Sequence, residues 1–294
     1  MTNNKFDAYA ITAANYEALT PLSFLPRTAL MFPNRRAVVY GERSYSWEEF
    51  YKRCTKLASA LNKIGIGRGD TVAVLAANTP EMVEAHFGIP MSGAVLNTVN
   101  TRLDDETIAY ILDHGEAKVF IVDYELAPQV RNALKILGDS DLLVIDILDL
   151  QNTANPAAIG ATDYEAFLAT GTDTFQWEMP TNEWDAIGLS YTSGTSGRPK
   201  GVVYHHRGSY LMSMGTITDW DLPRHPNYLY TVPMFHCNGW GHAWTMTALA
   251  GTMFCTRAIV PEEIFASIIE HNISHFGGAP IVLSMLLNSP AAKD

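Results

Sequence analysis

The segment YTSGTSGRPKG at 191–201 combines glycines, hydroxyl side chains and one lysine. Glycines let a backbone approach a ligand closely, and successive N–H groups in a glycine-rich turn form a concavity that binds anions. The hydroxyl groups add hydrogen-bond donors, and the lysine adds a mobile positive charge. Because this set of groups suits a polyphosphate, we predict that the phosphate-binding residues are Thr192, Ser193, Gly194, Thr195, Ser196, Gly197 and Lys200.

A flexible linker is the competing interpretation of this loop, since glycine and serine confer flexibility. The context disfavours a linker, because the apolar run AIGLSYT precedes the loop directly and KGVVY follows it. The spacing also excludes two other motifs. Lys200 lies three residues after Gly197, which does not fit a Walker A sequence, and Ser196 is followed directly by Gly197, which does not fit a GxSxG nucleophile elbow.

The segment VPMFHCNGWGHAW at 232–244 is a second cluster of polar and aromatic side chains. His236, Cys237 and His242 raise the question of a metal site. Their spacing is too loose for a structural zinc pattern and a fourth ligand is missing, so a metal is disfavoured. From the residues alone, a half-buried aromatic turn that packs in the core is the simpler interpretation.

Composition limits what the protein binds. The chain of 294 residues has 20 Lys and Arg against 31 Asp and Glu, a net charge of −11. This acidity argues against general binding to nucleic acid or anionic membranes, so an anion must be held by a local arrangement. Three widely spaced cysteines make no disulfide framework and favour a reducing cytoplasm. A secretory signal and an apolar run long enough to span a membrane are both lacking in the sequence.

Short apolar runs alternate with segments of helical period from about residue 37 onward. Continuous apolar strands that alternate with helices build parallel sheets covered on both faces. We therefore predict a doubly wound α/β fold with mostly parallel sheets, helices on both faces and ligands near the carboxyl ends of strands. The predicted strands are 71–77, 94–100, 118–123, 142–147, 186–192, 228–234, 252–257 and 273–280.

Helix starts are marked by capping residues. Ser46 with Glu49 three residues later predicts a capping box, Thr79 followed by Pro80 predicts a second start, and acidic residues from Asp104 predict a third. His206, just after the loop, is expected to be an exposed histidine at the start of a helix. Further helices are predicted over 163–170, from about Gly208, over Pro261–His271 and over 281–290, whereas the rest of 150–183 reads as an irregular surface excursion.

The loop and its surroundings resemble the adenylate-forming enzymes, a family that includes acyl-CoA synthetases, luciferases and peptide-synthetase adenylation domains. YTSGTSGRPKGV is similar to the phosphate-binding signature of that family. Segment 97–123 is similar to the part of acyl-CoA ligases that precedes the signature, and 232–244 to the aromatic motif that follows it. Segment 32–61 has the family's opening pattern, so the resemblance covers nearly the whole chain.

The resemblance implies a reaction in which ATP and a carboxylic acid give an acyl-adenylate, after which coenzyme A takes the acyl group. It implies that the loop binds the β- and γ-phosphates, with Mg²⁺ held through those phosphates near Thr195. It gives His236 and Lys200 catalytic roles. The acid it favours is a short- to medium-chain fatty acid, including methylmercaptopropionate-type acids, while aryl acids stay open. The acyl pocket it implies consists of His236, Trp240, Gly278, Ala279 and Pro280.

The resemblance also implies the domain organisation. The chain corresponds to an incomplete N-terminal adenylation domain, with one subdomain over 71–225 that carries the loop and another over 20–70 plus 226–294, and with the C-terminal domain absent. We therefore expect very weak adenylation by these residues alone and an exposed apolar surface where more of the domain packs. A non-catalytic nucleotide-binding or phosphate-binding module and a structural protein with a Ser/Gly linker are the alternatives. The sequence leaves the oligomeric state open, and a homodimer is among the assemblies it allows.

Overall fold

The structure is a computed structural model that describes residues 6, 9, 11–149, 157–192 and 197–293. Its strands are short and, in the centre of each sheet, mostly buried. They are β1 (Arg36–Tyr40), β2 (Arg43–Ser46), β3 (Thr71–Leu75), β4 (Val95–Thr98), β5 (Ala117–Asp123), β6 (Leu143–Ile147), β7 (Thr162–Asp163), β8 (Ala186–Thr192), β9 (Lys200–His205), β10 (Asn227–Tyr230), β11 (Thr252–Cys255) and β12 (His275–Phe276).

The helices connect these strands and cover the sheets. They are α1 (Phe24–Met31), α2 (Trp47–Lys63), α3 (Pro80–Met91), α4 (Asp105–His114), α5 (Ala127–Leu137), α6 (Tyr164–Thr170), α7 (His206–Asp219), α8 (His242–Ala248), α9 (Pro261–His271) and α10 (Pro280–Asn288).

Two sheets organise the chain. A seven-stranded sheet has the order β7-β6-β5-β3-β4-β8-β9 and is parallel except where β9 pairs with β8. A five-stranded sheet has the order β12-β10-β11-β1-β2 and is parallel except where β2 pairs with β1. The predicted α/β architecture with mostly parallel sheets is confirmed.

The strands of the two sheets come from different parts of the chain. All strands of the seven-stranded sheet lie within 71–225, and those of the five-stranded sheet lie within 20–70 and 226–294. One hydrophobic core nevertheless contains residues of both, such as Val72 and Met253. The division into two subdomains therefore stays a prediction about folding units.

Helix α3 lies between the sheets and is buried over its whole length. It nevertheless carries Glu84, whose carboxylate accepts hydrogen bonds from the Arg53 guanidinium at 2.6 and 3.3 Å and from the Tyr164 hydroxyl at 2.8 Å. Burial raises the pKa of Glu84, and Arg53 opposes that shift. Removing the partner of a buried charge costs about 3–5 kcal/mol, so Arg53 holds α2 firmly against α3.

A second ionic cluster joins the sheets beyond β11. The Arg257 guanidinium pairs with Asp123, at the end of β5, at 2.9 Å and with Asp149 at 3.1 Å. The Tyr40 hydroxyl of β1 donates to Asp149 at 2.5 Å. Since Tyr40 and Arg257 belong to the five-stranded side and Asp123 to the seven-stranded sheet, the cluster fixes the spacing of the two sheets.

Several predicted strands are shorter in the structure. The strand predicted over 228–234 ends at Tyr230, and Pro233 beyond it lacks the N–H that a ladder needs. The strand predicted over 273–280 is reduced to β12, which ends before Gly277 and Gly278, and α10 already begins at Pro280. The elements without an individual prediction are helices α1, α5 and α8 and strands β1, β2, β7 and β9.

Two of the three predicted helix starts are confirmed, and the third is confirmed in part. Ser46 and Glu49 form the capping box of α2, and the Asp104 carboxylate accepts from the Thr107 N–H at 2.7 Å. Thr79 occupies the N-cap position of α3, but its hydroxyl makes no capping bond and has no hydrogen-bond partner among the described residues. Here Pro80 and burial, rather than a side-chain cap, define the start.

His206 corrects an expectation of the sequence analysis. It begins α7, two residues before the predicted start, and is buried rather than exposed. Its Nδ1 lies 2.8 Å from the hydroxyl oxygen of Thr20, a residue far away in the sequence. Burial lowers the pKa of His206 to about 4, so the folded protein holds this imidazole neutral at pH 7.

This burial predicts that replacing His206 flattens the dependence of stability on pH. The folded pKa lies below the unfolded value, so the unfolded chain takes up a proton first as pH falls, and stability is lost from pH 6.5 down to about 4. His206→Gln should remove about 2 kcal/mol of the difference in unfolding free energy between pH 7 and pH 5. Urea denaturation at both pH values measures it.

Thr20→Val is the matched control, because it removes the same hydrogen bond and keeps the titrating group. It should lower stability by about 1 kcal/mol at both pH values and leave the slope unchanged. If the free energy of unfolding of His206→Gln depended on pH as steeply as that of the wild type, His206 would not be the source of this dependence.

Candidate active site

A cavity of about 400 Å³ opens where β4 and β8 end. In doubly wound sheets this edge is where ligands bind. The walls come from the residues after β4, helix α4, the end of β8, the loop before β9, strand β9 itself, and the segment after β10. The lining residues include Asn100, Ser190, Thr192, Gly197, Tyr204, Phe235, His236 and Cys237.

The predicted phosphate loop connects β8 to β9 as a hairpin loop, since Thr192 pairs with Lys200 in the antiparallel ladder. Ser193, Gly194, Thr195 and Ser196 lie outside the described residues. Gly197 has a φ of 110°, a value that favours glycine over other residues. Thr192 and Gly197 both line the cavity, so the two ends of the predicted loop reach it.

Lys200 is placed differently. It is exposed at the first position of β9 and lines a neighbouring surface groove together with Arg198 and Tyr110 rather than the cavity. The lining of the cavity contains no carboxylate among the described residues. Although the chain as a whole is acidic, the charged side chains among the described residues that line the cavity and the groove are Arg198 and Lys200, both cations, which suits an anion.

Helix α4 holds the far end of the loop. The Arg198 guanidinium lies 5.3 Å from the centre of the Tyr110 ring, and the Tyr110 hydroxyl donates to the Pro199 carbonyl at 3.4 Å. One turn along α4, His114 Nδ1 lies 2.8 Å from the Tyr191 hydroxyl oxygen on β8. Neither of these contacts of α4 was predicted from the sequence. Their spacing of four residues in segment 97–123 is the signal that places both side chains on one helix face.

The segment after β10 presents His236 and Cys237. His236 is exposed, Cys237 is half-buried, and His236 Nδ1 lies 3.1 Å from Cys237 Sγ. The residues from Cys237 to Gly241 all have positive φ angles, between 49° and 65°. Such a left-handed turn costs about 1–2 kcal/mol for each residue that is not glycine, so contacts with the rest of the fold must hold it.

Asn78, just after β3, fixes the approach to this turn. Its amide donates to the Tyr230 carbonyl at 2.8 Å and to the Val232 carbonyl at 3.0 Å, and its Oδ1 accepts from the Met234 N–H at 2.8 Å. Asn78 therefore replaces the strand partners that the chain loses when β10 ends. A polar residue directly after the apolar run 71–77 is the signal that sequence reasoning did not use.

The other predicted pocket residues lie away from the cavity lining. Trp240 is 60% exposed, and Ala279 and Pro280 are exposed at the start of α10. Gly278 is half-buried and packs on Val282. The structure thus brings Thr192, Gly197 and His236 together, while the acyl-pocket roles of Trp240 and 278–280 stay predictions.

His242 belongs to the core. Its Nδ1 lies 2.5 Å from the Tyr228 hydroxyl oxygen, and burial lowers the pKa of His242 to about 4.

Across the described ranges, no group of three or more His, Cys, Asp or Glu side chains could hold a metal. Because the described cavity walls offer hydroxyl groups but no carboxylate, a Mg²⁺ ion here fits only as a partner of phosphate oxygens. In the described part of the chain, no helix is long and apolar enough to cross a membrane.

A family described as AMP-binding enzyme matches residues 25–294. An acetate/butyrate–CoA ligase of Arabidopsis thaliana, named as peroxisomal, is 44% identical over 287 residues, which are 94% of this chain and 50% of that protein. A peroxisomal trans-cinnamate–CoA ligase of Petunia hybrida is 42% identical over 289 residues, 94% of this chain and 51% of that protein. The chain spans about half the length of these curated relatives.

A solved structure of an anthranilate–CoA ligase in complex with anthranoyl-AMP has the same fold. The TM-score is 0.84 at 20% identity, and the match covers 95% of this chain and 54% of that one. At this identity the likeness concerns the fold alone, and it confirms the fold class that the sequence predicts.

The role of Asn78 predicts a loss of stability. Asn78→Ala removes three hydrogen bonds and leaves the segment after β10 unsupported, so the free energy of unfolding should fall by about 2–4 kcal/mol. Chemical denaturation followed by circular dichroism measures it. Asn288→Ala, which removes an exposed bond at the end of α10, is the control and should change stability by less than about 0.5 kcal/mol. Equal effects of the two variants would refute the bridging role.

Proposed function

Since this chain belongs to the AMP-binding enzyme family, we propose that it takes part in the ATP-dependent activation of a carboxylic acid and the transfer of that acid to coenzyme A. The observation that carries the proposal is the single cavity that joins Thr192 and Gly197, at the ends of the loop, to the turn at His236. A site with phosphate-binding groups on one wall and a polar turn on another can hold a nucleotide and an acid side by side.

The proposed reaction has two steps. A carboxylate oxygen of the acid attacks the α-phosphorus of ATP, the bond from that phosphorus to the bridging oxygen breaks, and pyrophosphate leaves. The sulfur of coenzyme A then attacks the acyl carbon, AMP leaves with the electron pair of the broken carbon–oxygen bond, and the thiol proton is released. The first step is needed because the oxide of a free carboxylate is a poor leaving group, whereas AMP is a good one.

The loop residues orient the triphosphate of ATP. We assign Thr192, 193–196, Gly197 and Lys200 to the β- and γ-phosphates, through hydroxyl groups, backbone N–H groups and one ammonium group. When bound, Mg²⁺ supplies charge neutralisation on the phosphate oxygens. His236 presents a polar edge to the carboxylate. Trp240, Gly278, Ala279 and Pro280 complete the proposed acyl pocket.

We propose a short- to medium-chain fatty acid as the substrate. The likeness of segments 97–123 and 232–244 to ligases of such acids supports it, as does a relative named for acetate and butyrate. The relative named for trans-cinnamate makes aryl acids the comparison to test. The cytoplasmic location stays a prediction, since both relatives are named as peroxisomal. A homodimer stays a prediction as well.

Acid-dependent release of AMP tests the function. The protein that carries these residues is supplied with ATP, coenzyme A and one acid from a panel of acetate, butyrate, hexanoate and trans-cinnamate, and AMP and acyl-CoA are quantified. We expect equal amounts of both products, highest with the aliphatic acids. Binding of ATP without AMP release for any acid would instead support a non-catalytic nucleotide-binding module, and absence of ATP binding would overturn the proposal.

Lys200 provides a sharper prediction. Lys200→Ala removes one charge-assisted contact with phosphate, so the Kd of ATP should rise about tenfold to a hundredfold. Titration calorimetry with the 294-residue chain measures it. Lys118→Ala carries the same change of charge on an exposed side chain near the start of β5, which lines neither the cavity nor the groove, and should leave the Kd within about twofold. Equal weakening by both variants would show a general charge effect and contradict the contact.

A further inference from the structure

We propose that Asn238 is a positioning residue, which holds a left-handed turn and thereby places His236 and Cys237 at the cavity. The inference rests on the proposed function only for the identity of the ligand as an acid. The mechanical part, that one buried amide side chain sets the conformation of this wall, follows from the contacts of the turn itself.

The backbone of the turn is of a kind that few residues adopt. From Cys237 to Gly241 the φ angles are 49°, 50°, 57°, 57° and 65°. In this region the Cβ of an L-residue crowds the following carbonyl, and only glycine, asparagine and aspartate adopt it readily. The sequence CNGWG supplies Gly239 and Gly241 as tolerant positions, and Asn238, directly before Gly239, as an asparagine that tolerates the same conformation.

Asn238 is also the member of the turn that enters the seven-stranded sheet. It is 2% exposed, and its Oδ1 accepts from the hydroxyl of Thr98, at the end of β4, at 3.1 Å. Its Nδ2 faces Gly188 of β8, where a Cβ atom would lie only 2.5 Å away. The amide therefore occupies a slot between β4 and β8 that exists because residue 188 has no side chain.

The Thr98 hydroxyl contacts the residues that flank His236 and Cys237 in the sequence. Besides the Asn238 amide, the Phe235 carbonyl oxygen lies 3.1 Å from Thr98 Oγ1. Phe235 precedes His236, and Asn238 follows Cys237. His236 and Cys237 therefore lie between two groups, the Phe235 carbonyl and the Asn238 amide, that both contact the Thr98 hydroxyl of β4.

His236 and Cys237 belong to neither a strand nor a regular helix, so the orientation of their side chains depends on these contacts with Thr98. Both line the cavity together with Ser190 and Tyr204 of the β8–β9 hairpin, and the Tyr204 side chain interacts with Cys237. Among the described residues, Asn238 Nδ2 has no hydrogen-bond partner. A buried donor without a partner costs stability, so the hydrogen bond to Thr98 and the tolerance of asparagine for a positive φ must offset that cost.

Hydrogen exchange followed by mass spectrometry tests the mechanical part, using the 294-residue chain. Asn238→Ala and Thr98→Val should each speed exchange in a peptide covering 235–241 by about fivefold or more, the factor that one typical hydrogen bond gives. A peptide covering β11 should stay within about twofold of wild type, as expected for a local effect. Thr98→Ser keeps the hydroxyl and should restore slow exchange. Unchanged exchange in 235–241 for both variants would overturn the proposal.

Gly188→Ala approaches the same contact from the other side and guards against a variant that fails to fold. The added methyl group meets the Asn238 amide, while Asn238 and Thr98 are both retained. It should speed exchange in 235–241 as Asn238→Ala does. Slow exchange in Gly188→Ala would show that the slot does not hold the turn.

Kinetics of the protein that carries these residues separate positioning from general damage. Asn238→Ala should raise the KM of the acid about fivefold or more and leave the KM of ATP within about twofold, because the turn and the phosphate loop are separate walls. Equal changes in both constants would contradict a positioning role. If wild type activates no acid, the proposed function fails, while the exchange result still decides the role of Asn238.

Discussion

The complete burial of helix α3 between the two sheets is the constraint on which the rest of the structure depends. Every residue of Pro80–Met91 is buried, and the helix contacts β1 on one side and β3 and β4 on the other. A helix in this position is expected to be apolar all round, yet Glu81 and Glu84 are ionisable. Arg43 and Arg53 pair with them, so the charges that would oppose burial instead attach β2 and α2 to the buried helix.

This fixed spacing of the sheets explains why the cavity has walls from distant parts of the chain. The carboxyl ends of β3 and β4 meet the segment that leaves β10, and Asn78 and Thr98 make the hydrogen bonds between them. A shift of one sheet by an ångström or two would break these bonds, since the geometry of a hydrogen bond tolerates little change in length. The loop at 193–196 starts and ends on the same edge, because β8 and β9 form one hairpin.

The sequence predicted those features that depend on near neighbours. The capping box of Ser46 and Glu49 and the apolar central strands depend on residues a few positions apart, so their patterns are readable. Strand β9 was missed because its apolar run, at 202–204, is only three residues long and the strand lies at an exposed edge. Burial of His206 depends on Thr20, 186 positions away, and no local pattern reports such a contact. For Asn238 the sequence offers only an Asn-Gly pair, which marks a turn but not the slot that the amide fills.

Gly188 and Asn238 restrict each other in evolution. A side chain at 188 would occupy the space that the amide fills, so the glycine can be lost only after residue 238 has become smaller or has withdrawn. Contacting residues of this kind have strongly non-additive effects, and the order in which substitutions arise then matters. Descendants of this protein are therefore freer to diversify at a position such as Asn100, which lines the cavity from another wall, than at the turn that closes it.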